Sequence, residues 1–134
     1  MASAGAEFLA LLTDEDVVRA RQLTRQWALT MGFSLVEQTK IVTAASELGR
    51  NTVLHGGGGS FTLEAVNDGT RRGLRLTFED QGPGIENVET AMRDGFTTGN
   101  GLGLGLGGAR RLMNEFSISS QPGKGTRIVA VRWK

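Results

Sequence analysis

Apolar residues recur along this chain with two periods, and the periods predict where its helices and strands lie. A short apolar run at residues 8–12 predicts a strand, and helical spacing then predicts helices over residues 13–32 and 34–55. Both helices open with a capping-box pattern, in which a hydroxyl residue precedes an acid by three positions: Thr13 and Asp16, Ser34 and Glu37. The N-terminal part of the chain therefore predicts one strand followed by two helices.

The rest of the chain alternates apolar and polar residues in short segments. The alternation predicts strands over residues 61–65, 74–78, 116–119 and 126–133. A helix of about ten residues is predicted to start near Leu106. Consecutive strands favour antiparallel pairing with helices packed on one face. The order predicts an α+β fold, a two-layer α/β sandwich with a mostly antiparallel sheet, as one domain over residues 1–134.

The composition narrows the classes of protein to consider. The net charge of +1 gives no overall field that favours nucleic acid or a membrane surface. The chain has no cysteine, which excludes disulfides and thiolate metal sites. No apolar run approaches the roughly 20 residues of a membrane span, and the N-terminus lacks the pattern of an export signal. We expect a cytoplasmic protein without nucleic-acid or membrane partners.

Glycine is unusually frequent and falls in clusters. It occurs 20 times in 134 residues, about twice the usual share of roughly 7%. The clusters lie at residues 56–59, 82–84 and 99–108. The third alternates glycine with leucine, whereas disordered segments lack apolar residues. We therefore expect a packed loop there, at a place that needs close approach of the backbone.

Glu47 and Asn51 are the first candidate site residues. Four residues advance a helix by about 400° and roughly 6 Å, so both side chains project from one face of the second helix. Asn51 offers Mg²⁺ a neutral oxygen ligand, and Glu47 can take a proton from an attacking hydroxyl. A solvated helix face would have the same spacing, so the pair alone leaves that alternative open.

The segment Asp80-Gln81-Gly82-Pro83-Gly84 follows a predicted strand and forms the second candidate. Two glycines around a proline predict a rigid turn that brings the backbone close to a ligand. The Asp80 carboxylate can accept a hydrogen bond from a base amine such as that of adenine. An ordinary β-turn is the alternative.

The third candidate is the loop Gly101-Leu102-Gly103-Leu104-Gly105, which leads through further glycines into a predicted helix. Free amides at a helix start can bind phosphates, although a flexible loop would have the same composition. A dinucleotide fingerprint is rejected, because no strand precedes the loop and no acid follows at the required distance. A P-loop is rejected because no Gly-Lys-Ser/Thr sequence follows.

Three further features have plain structural interpretations. The segment Pro122-Gly123-Lys124-Gly125-Thr126 is either a hairpin turn or a turn whose Thr126 hydroxyl joins the pocket. His55 has no partner histidine or cysteine, so we interpret it as a capping or packing residue. Gly56–Gly59 is interpreted as a connector.

In chain order, these motifs resemble those of the GHKL (Bergerat-fold) ATPase and kinase superfamily. The matching order is acid-x-x-x-Asn on a helix, Asp-x-Gly-x-Gly after a strand, Gly-x-Gly-x-Gly before a helix and Gly-Thr before a strand. The resemblance covers roughly residues 34–134. It implies the Bergerat ATP-binding fold, with ATP and Mg²⁺ as cofactors.

The resemblance also implies a role for each matching residue. Glu47 would be the catalytic base, Asn51 the magnesium ligand and Asp80 the residue that reads adenine. The cofactor-binding set would be Asn51, Asp80, Gly82, Gly84, Gly101, Leu102, Gly103, Leu104, Gly105 and Thr126.

Within the superfamily the chain resembles the RsbT-type serine/threonine switch kinases of stressosome partner-switching pathways. The stretches that carry this resemblance are residues 44–51, 94–98, 111–116 and 122–126, whereas Leu104 and Gly107 depart from that group's glycine loop. The group implies a STAS-domain antagonist or scaffold protein as substrate and a PP2C-type phosphatase as a second partner. An anti-sigma-factor kinase and a nucleotide-dependent binding module without kinase activity are the alternatives.

Overall fold

The computed structural model describes residues 5–85, 87–92 and 105–134. Its elements follow the predicted order of a strand, two helices, a hairpin, a helix and a second hairpin. They are β1 (Ala6–Leu11), α1 (Asp14–Thr30), α2 (Leu35–Leu54), β2 (Gly59–Asn67), β3 (Arg72–Asp80), a short α3 (Val88–Ala91), α4 (Leu106–Leu112), β4 (Glu115–Ser120) and β5 (Thr126–Trp133).

The strands of the described residues form one antiparallel sheet in the order β1-β2-β3-β5-β4. Strand β5 lies between β3 and β4, so the last strand of the chain is inserted beside the middle of the sheet. This position aligns Thr126, the first residue of β5, with Asp80, the last residue of β3. The predicted α+β fold is confirmed, and two of the candidate site residues are neighbours in it.

The core lies between one face of the sheet and the helices α1 and α2. Inward residues of the strands alternate with outward polar ones, as a sheet with one covered face requires. Phe61 and Phe78 are cross-strand partners whose rings stack at 4.7 Å between centroids. From α2, Ile41, Ala44 and Leu48 are fully buried in the same cluster. The helix that carries Glu47 and Asn51 is thereby held rigidly against the sheet.

Both predicted capping boxes are present at the helix starts. Thr13 caps α1 with Asp16, and Ser34 caps α2 with Glu37. The Leu12 backbone N–H donates to the Asp16 carboxylate and lowers the pKa of Asp16. The helix boundaries are therefore set by local sequence. In the part of the chain that the structure describes, no helix is both long and apolar enough to cross a membrane.

The predicted helix of about ten residues after the glycine loop is too long. Helix α4 has 7 residues and ends at Leu112, because Met113 is extended, with φ −116° and ψ 157°. The Asn114 backbone N–H donates to Val131 O, and the Asn114 side-chain oxygen accepts from the Trp133 backbone N–H. Pairing with β5 therefore overrides the helical spacing at this point.

Candidate functional site

One face of α2 carries the first group of candidate site residues. Glu47, Asn51 and His55 follow at intervals of four residues, so they lie along the same side of the helix. Asn51 and His55, together with Thr52, line a pocket between α2 and the end of the sheet. Glu47 and Asn51 therefore share a helix face as predicted, and Asn51 faces a pocket rather than a plain solvated surface.

The pocket has apolar walls and a few polar groups. Its lining residues are Asn51, Thr52, His55, Phe78, Asp80, Ile85, Leu106, Thr126 and Ile128. Four of them are buried hydrophobic residues from β3, β5, α4 and the turn after β3. Asp80 and Thr126 contribute a carboxylate and a hydroxyl at one end of the sheet. Apolar walls with a few convergent polar groups are typical of a small-molecule site.

Asp80 is the buried acid of this pocket, with 9% of its surface exposed. It lies between Gly59 of β2 and Thr126 of β5, its partners across the sheet. The Gly82 backbone N–H donates to Asp80 Oδ1 at 2.9 Å, which holds the turn after the strand. Oδ1 thus accepts the hydrogen bond that holds the turn, and Oδ2 lies against Gly56.

Gly56 makes room for the Asp80 carboxylate. A side chain at Gly56 would collide with Asp80, and one at Gly82 would come within 2.6 Å of Gly56 O. The interpretation of Gly56–Gly59 as a connector therefore missed a residue that shapes the pocket. No local signal identifies Gly56, because its constraint comes from a strand that is distant in the sequence.

The turn between Asp80 and Ile85 is packed on both sides. Gly84 has φ +76°, a conformation that favours glycine, and a side chain there would collide with Gln121 O. Nε2 of His55 lies 3.2 Å from Gly84 O, so His55 packs against the turn as predicted. The Asp80-x-Gly-x-Gly segment is therefore a rigid turn held by α2 and by the β4–β5 hairpin.

Glu47 lies where α2 meets the start of α4. Arg50 Nη1 donates to Glu47 Oε2 at 3.0 Å, and the other carboxylate oxygen, Oε1, lies directly against Gly105. Gly105 caps α4 in the left-handed conformation, with φ +66°. The carboxylate thus lies against Gly105 at the start of α4, on the helix face that also carries Asn51.

Gly105→Ala should move the Glu47 carboxylate. The new methyl group would collide with Glu47 Oε1, and a left-handed alanine costs about 1–2 kcal/mol. Because Glu47 is the predicted catalytic base, we expect phosphoryl transfer to fall about tenfold. Thermal unfolding and a transfer assay measure the two effects separately.

Gly108→Ala is the matched control for Gly105→Ala. Gly108 lies on the same helix, is exposed, and has open space where a methyl group would go. Alanine there should leave transfer unchanged and stabilise α4 by about 0.5–1 kcal/mol. Equal activity of the two variants would contradict the proposed contact between Gly105 and Glu47.

Ser120, at the end of β4, joins the site although the sequence analysis did not select it. Its hydroxyl contacts Thr126 Oγ1 at 2.8 Å and Gly125 O at 3.1 Å, and it accepts from Ile85 N–H at 2.8 Å. It therefore links the turn after β3 to the start of β5. Only its register opposite Thr126 could have suggested this role.

The candidate residues divide into those that the structure places together and those outside its described part. Asn51, Asp80 and Thr126 line one pocket, Gly82 and Gly84 form its turn, and Glu47 meets Gly105 next to it. The other four, Gly101, Leu102, Gly103 and Leu104, lie outside the described residues, as does the stretch 94–98.

The described residues fit ATP and its magnesium in chemical type. A 6-aminopurine matches apolar walls that end in the acceptor Asp80. For Mg²⁺, Asn51 supplies one oxygen, which suits a cation that keeps several waters and phosphate ligands. No cluster of three or more metal-binding acids, histidines or cysteines occurs among residues 5–85, 87–92 and 105–134.

Comparison with known proteins connects this geometry to a family. Residues 10–133 match the family of histidine kinase-like ATPase domains. The serine/threonine-protein kinase RsbT of Bacillus subtilis (strain 168) is 49% identical over 123 residues, 92% of each chain. An anti-sigma F factor of Thermoanaerobacter sp. (strain X514) is 32% identical over 81% of this chain and 79% of its own.

A solved structure supports the fold independently. The catalytic domain of histidine kinase ThkA superimposes with a TM-score of 0.57 at 18% identity, over 94% of this chain and 95% of that one. This likeness concerns the fold alone.

Proposed function

This chain belongs to the family of histidine kinase-like ATPase domains, and we propose that it transfers the γ-phosphate of ATP to a serine or threonine of a partner protein. Its 49% identity to a serine/threonine-protein kinase over most of both chains supports the kinase class. The observation that carries the proposal is that two features of the structure lie next to each other. The Asp80–Thr126 pocket suits a purine, and Glu47 lies at the adjoining start of α4.

The residues divide the work of phosphoryl transfer between binding and proton transfer. Asp80 and Thr126 hold the base, and Asn51 supplies an oxygen to the magnesium ion. When bound, the ion neutralises phosphate charge. Glu47 accepts the proton of the incoming hydroxyl, while Arg50 fixes its other oxygen. Gly105 has no side chain and lies directly against this carboxylate at the start of α4.

The partner in this proposal is a STAS-domain antagonist or scaffold protein in a partner-switching pathway of the cytoplasm. A PP2C-type phosphatase is the second partner, bound after phosphorylation releases the kinase. Support comes from the RsbT relative and from the stretches at residues 44–51, 111–116 and 122–126 that resemble switch kinases.

A direct transfer assay tests the proposal. The chain is incubated with magnesium and labelled ATP together with candidate STAS-domain proteins, and the partner is analysed by mass spectrometry. We expect phosphate on a serine or threonine of the partner, and none with a partner in which that residue is alanine. Binding of ATP without transfer to any partner would favour a nucleotide-dependent binding module.

An anti-sigma-factor kinase is the second candidate, favoured by the relatives at 32% identity. The two candidates share the same chemistry and differ in their protein partner. Pull-down with a STAS-domain protein and a sigma factor, each with ATP present, separates them. Retention of the sigma factor would favour the second candidate, and retention of the STAS-domain protein alone would favour the first.

A further inference from the structure

We propose that Ser120 is a positioning residue that sets which purine the pocket prefers, because it fixes the direction of the Thr126 hydroxyl proton. The inference rests on the nucleotide site of the proposed function and deepens it. Ser120 itself does not line the pocket, whereas Thr126 does. Its effect on a ligand is therefore exerted through Thr126.

Three groups contact the Ser120 hydroxyl, and their chemistry determines the direction of each hydrogen bond. Ile85 N–H can only donate to Ser120, and Gly125 O can only accept from it. A serine hydroxyl has one proton and two acceptor sites. The proton is used by Gly125 O, so the contact with Thr126 is satisfied when Thr126 donates to Ser120. This arrangement satisfies all three contacts at once.

The Thr126 hydroxyl then presents lone pairs to the pocket in place of a proton. Thr126 is buried, with 6% exposure, and lies opposite Asp80 across β3 and β5. Both polar groups at this end of the pocket are therefore acceptors. A purine with a 6-amino group supplies N–H donors to such a pair, directly or through one bridging water. A purine with a 6-oxo group would place a third acceptor at the 6-position and would have only its N1–H as a donor on that edge.

Loss of the Ser120 hydroxyl should remove this preference. With no acceptor on β4, the Thr126 proton is free to turn into the pocket and donate to a 6-oxo group. An ordinary hydrogen bond corresponds to about five- to tenfold in affinity, which sets the size of the expected change. Loss of the hydroxyl should thus reduce the preference for a 6-aminopurine more than it reduces the stability of the site.

The experiment compares ATP with inosine triphosphate, whose base has a 6-oxo group in place of the 6-amino group and a proton on N1. Both affinities are measured by calorimetry with magnesium for the wild-type chain and for Ser120→Ala. We expect ATP to bind about fivefold more weakly to the variant and ITP to bind no more weakly, so that the ATP-to-ITP affinity ratio falls about fivefold or more. Ser120→Thr, which keeps a hydroxyl, should keep the ATP-to-ITP affinity ratio of the wild-type chain.

Two control variants separate positioning from structure. Ser119→Ala makes the same change one residue earlier on β4, at an exposed position on the opposite face, and should leave both affinities unchanged. Thr126→Val should lower the ratio as Ser120→Ala does, and the double variant should lower it no further. Thermal unfolding checks that each variant folds. Ser120→Cys, a weak donor of similar shape, replaces Ser120→Ala if alanine prevents folding.

The outcomes distinguish this inference from the function on which it rests. Equal loss of ATP and ITP affinity in Ser120→Ala would show a merely structural role and overturn the inference, while the nucleotide site would stand. A further drop of the ratio when Ser120→Ala is added to Thr126→Val would also overturn it. Failure of the wild-type chain to bind either nucleotide would overturn the proposed function together with the inference.

Discussion

Glu47→Gln should lower phosphoryl transfer to the partner protein by about 100-fold or more, with ATP affinity changed by less than about threefold. Glutamine keeps the shape of the side chain and a carbonyl oxygen for Arg50, but it cannot accept a proton. Glu47 does not line the base pocket, so binding of the nucleotide should persist. Single-turnover transfer and calorimetry measure the two quantities on the same preparation.

Glu64→Gln is the matched control for Glu47→Gln. Glu64 lies on β2, on the sheet face that α1 and α2 leave uncovered, where it pairs with Arg75. The same chemical change there should leave transfer unaffected. Undiminished phosphorylation by Glu47→Gln and by Glu47→Ala would refute the assignment of Glu47 as the base. Loss of ATP binding together with transfer would instead give Glu47 a role in holding the nucleotide.

Features that depend on neighbouring residues could be predicted from the sequence. The capping boxes at Thr13 and Ser34 are confirmed, because their hydrogen bonds span only three residues. The alternation in β2 and β3 is confirmed for the same reason, since residues 68–71 between them form a short hairpin connection. The α+β class and the family resemblance follow from the order of such local features, and both are confirmed.

Features that depend on distant residues could not be predicted in this way. Ser120 meets Ile85 across 35 positions, and Gly56 meets Asp80 only because β2 and β3 pair along their full length. The insertion of β5 between β3 and β4 also depends on non-local pairing. That pairing ends α4 earlier than the helical spacing predicts. Periodicity within one segment contains no information on these contacts.

The kinase class predicted from the motifs is confirmed by the serine/threonine-protein kinase relative. The roles of the individual site residues stay predictions, because geometry places Glu47, Asn51 and Asp80 without testing their chemistry. The partner proteins stay predictions for the same reason. Substitutions that change one functional group and keep the shape of the side chain therefore test these roles.

Asp80→Asn should weaken ATP binding by about 100-fold or more, because the amide replaces an acceptor with a donor beside the base amine. Asparagine keeps an oxygen in the position of Oδ1, which accepts from Gly82 N–H, so the turn and the melting temperature should be preserved. Calorimetry with magnesium-ATP measures the loss. Because the change lies at the base, affinity for inorganic triphosphate should be unaltered.

Asp68→Asn is the matched control, since Asp68 lies in the loop at the other end of the β2–β3 hairpin. It also accepts backbone N–H groups two and three residues ahead, from Thr70 and Arg71, so the same substitution perturbs a comparable turn. ATP affinity should not change there. If Asp80→Asn retained affinity within about fivefold, Asp80 would be a turn residue alone. Recognition of the base would then have to come from Thr126 and from the backbone between Gly82 and Ile85. Measuring ATP affinity for Thr126→Val would test that alternative directly.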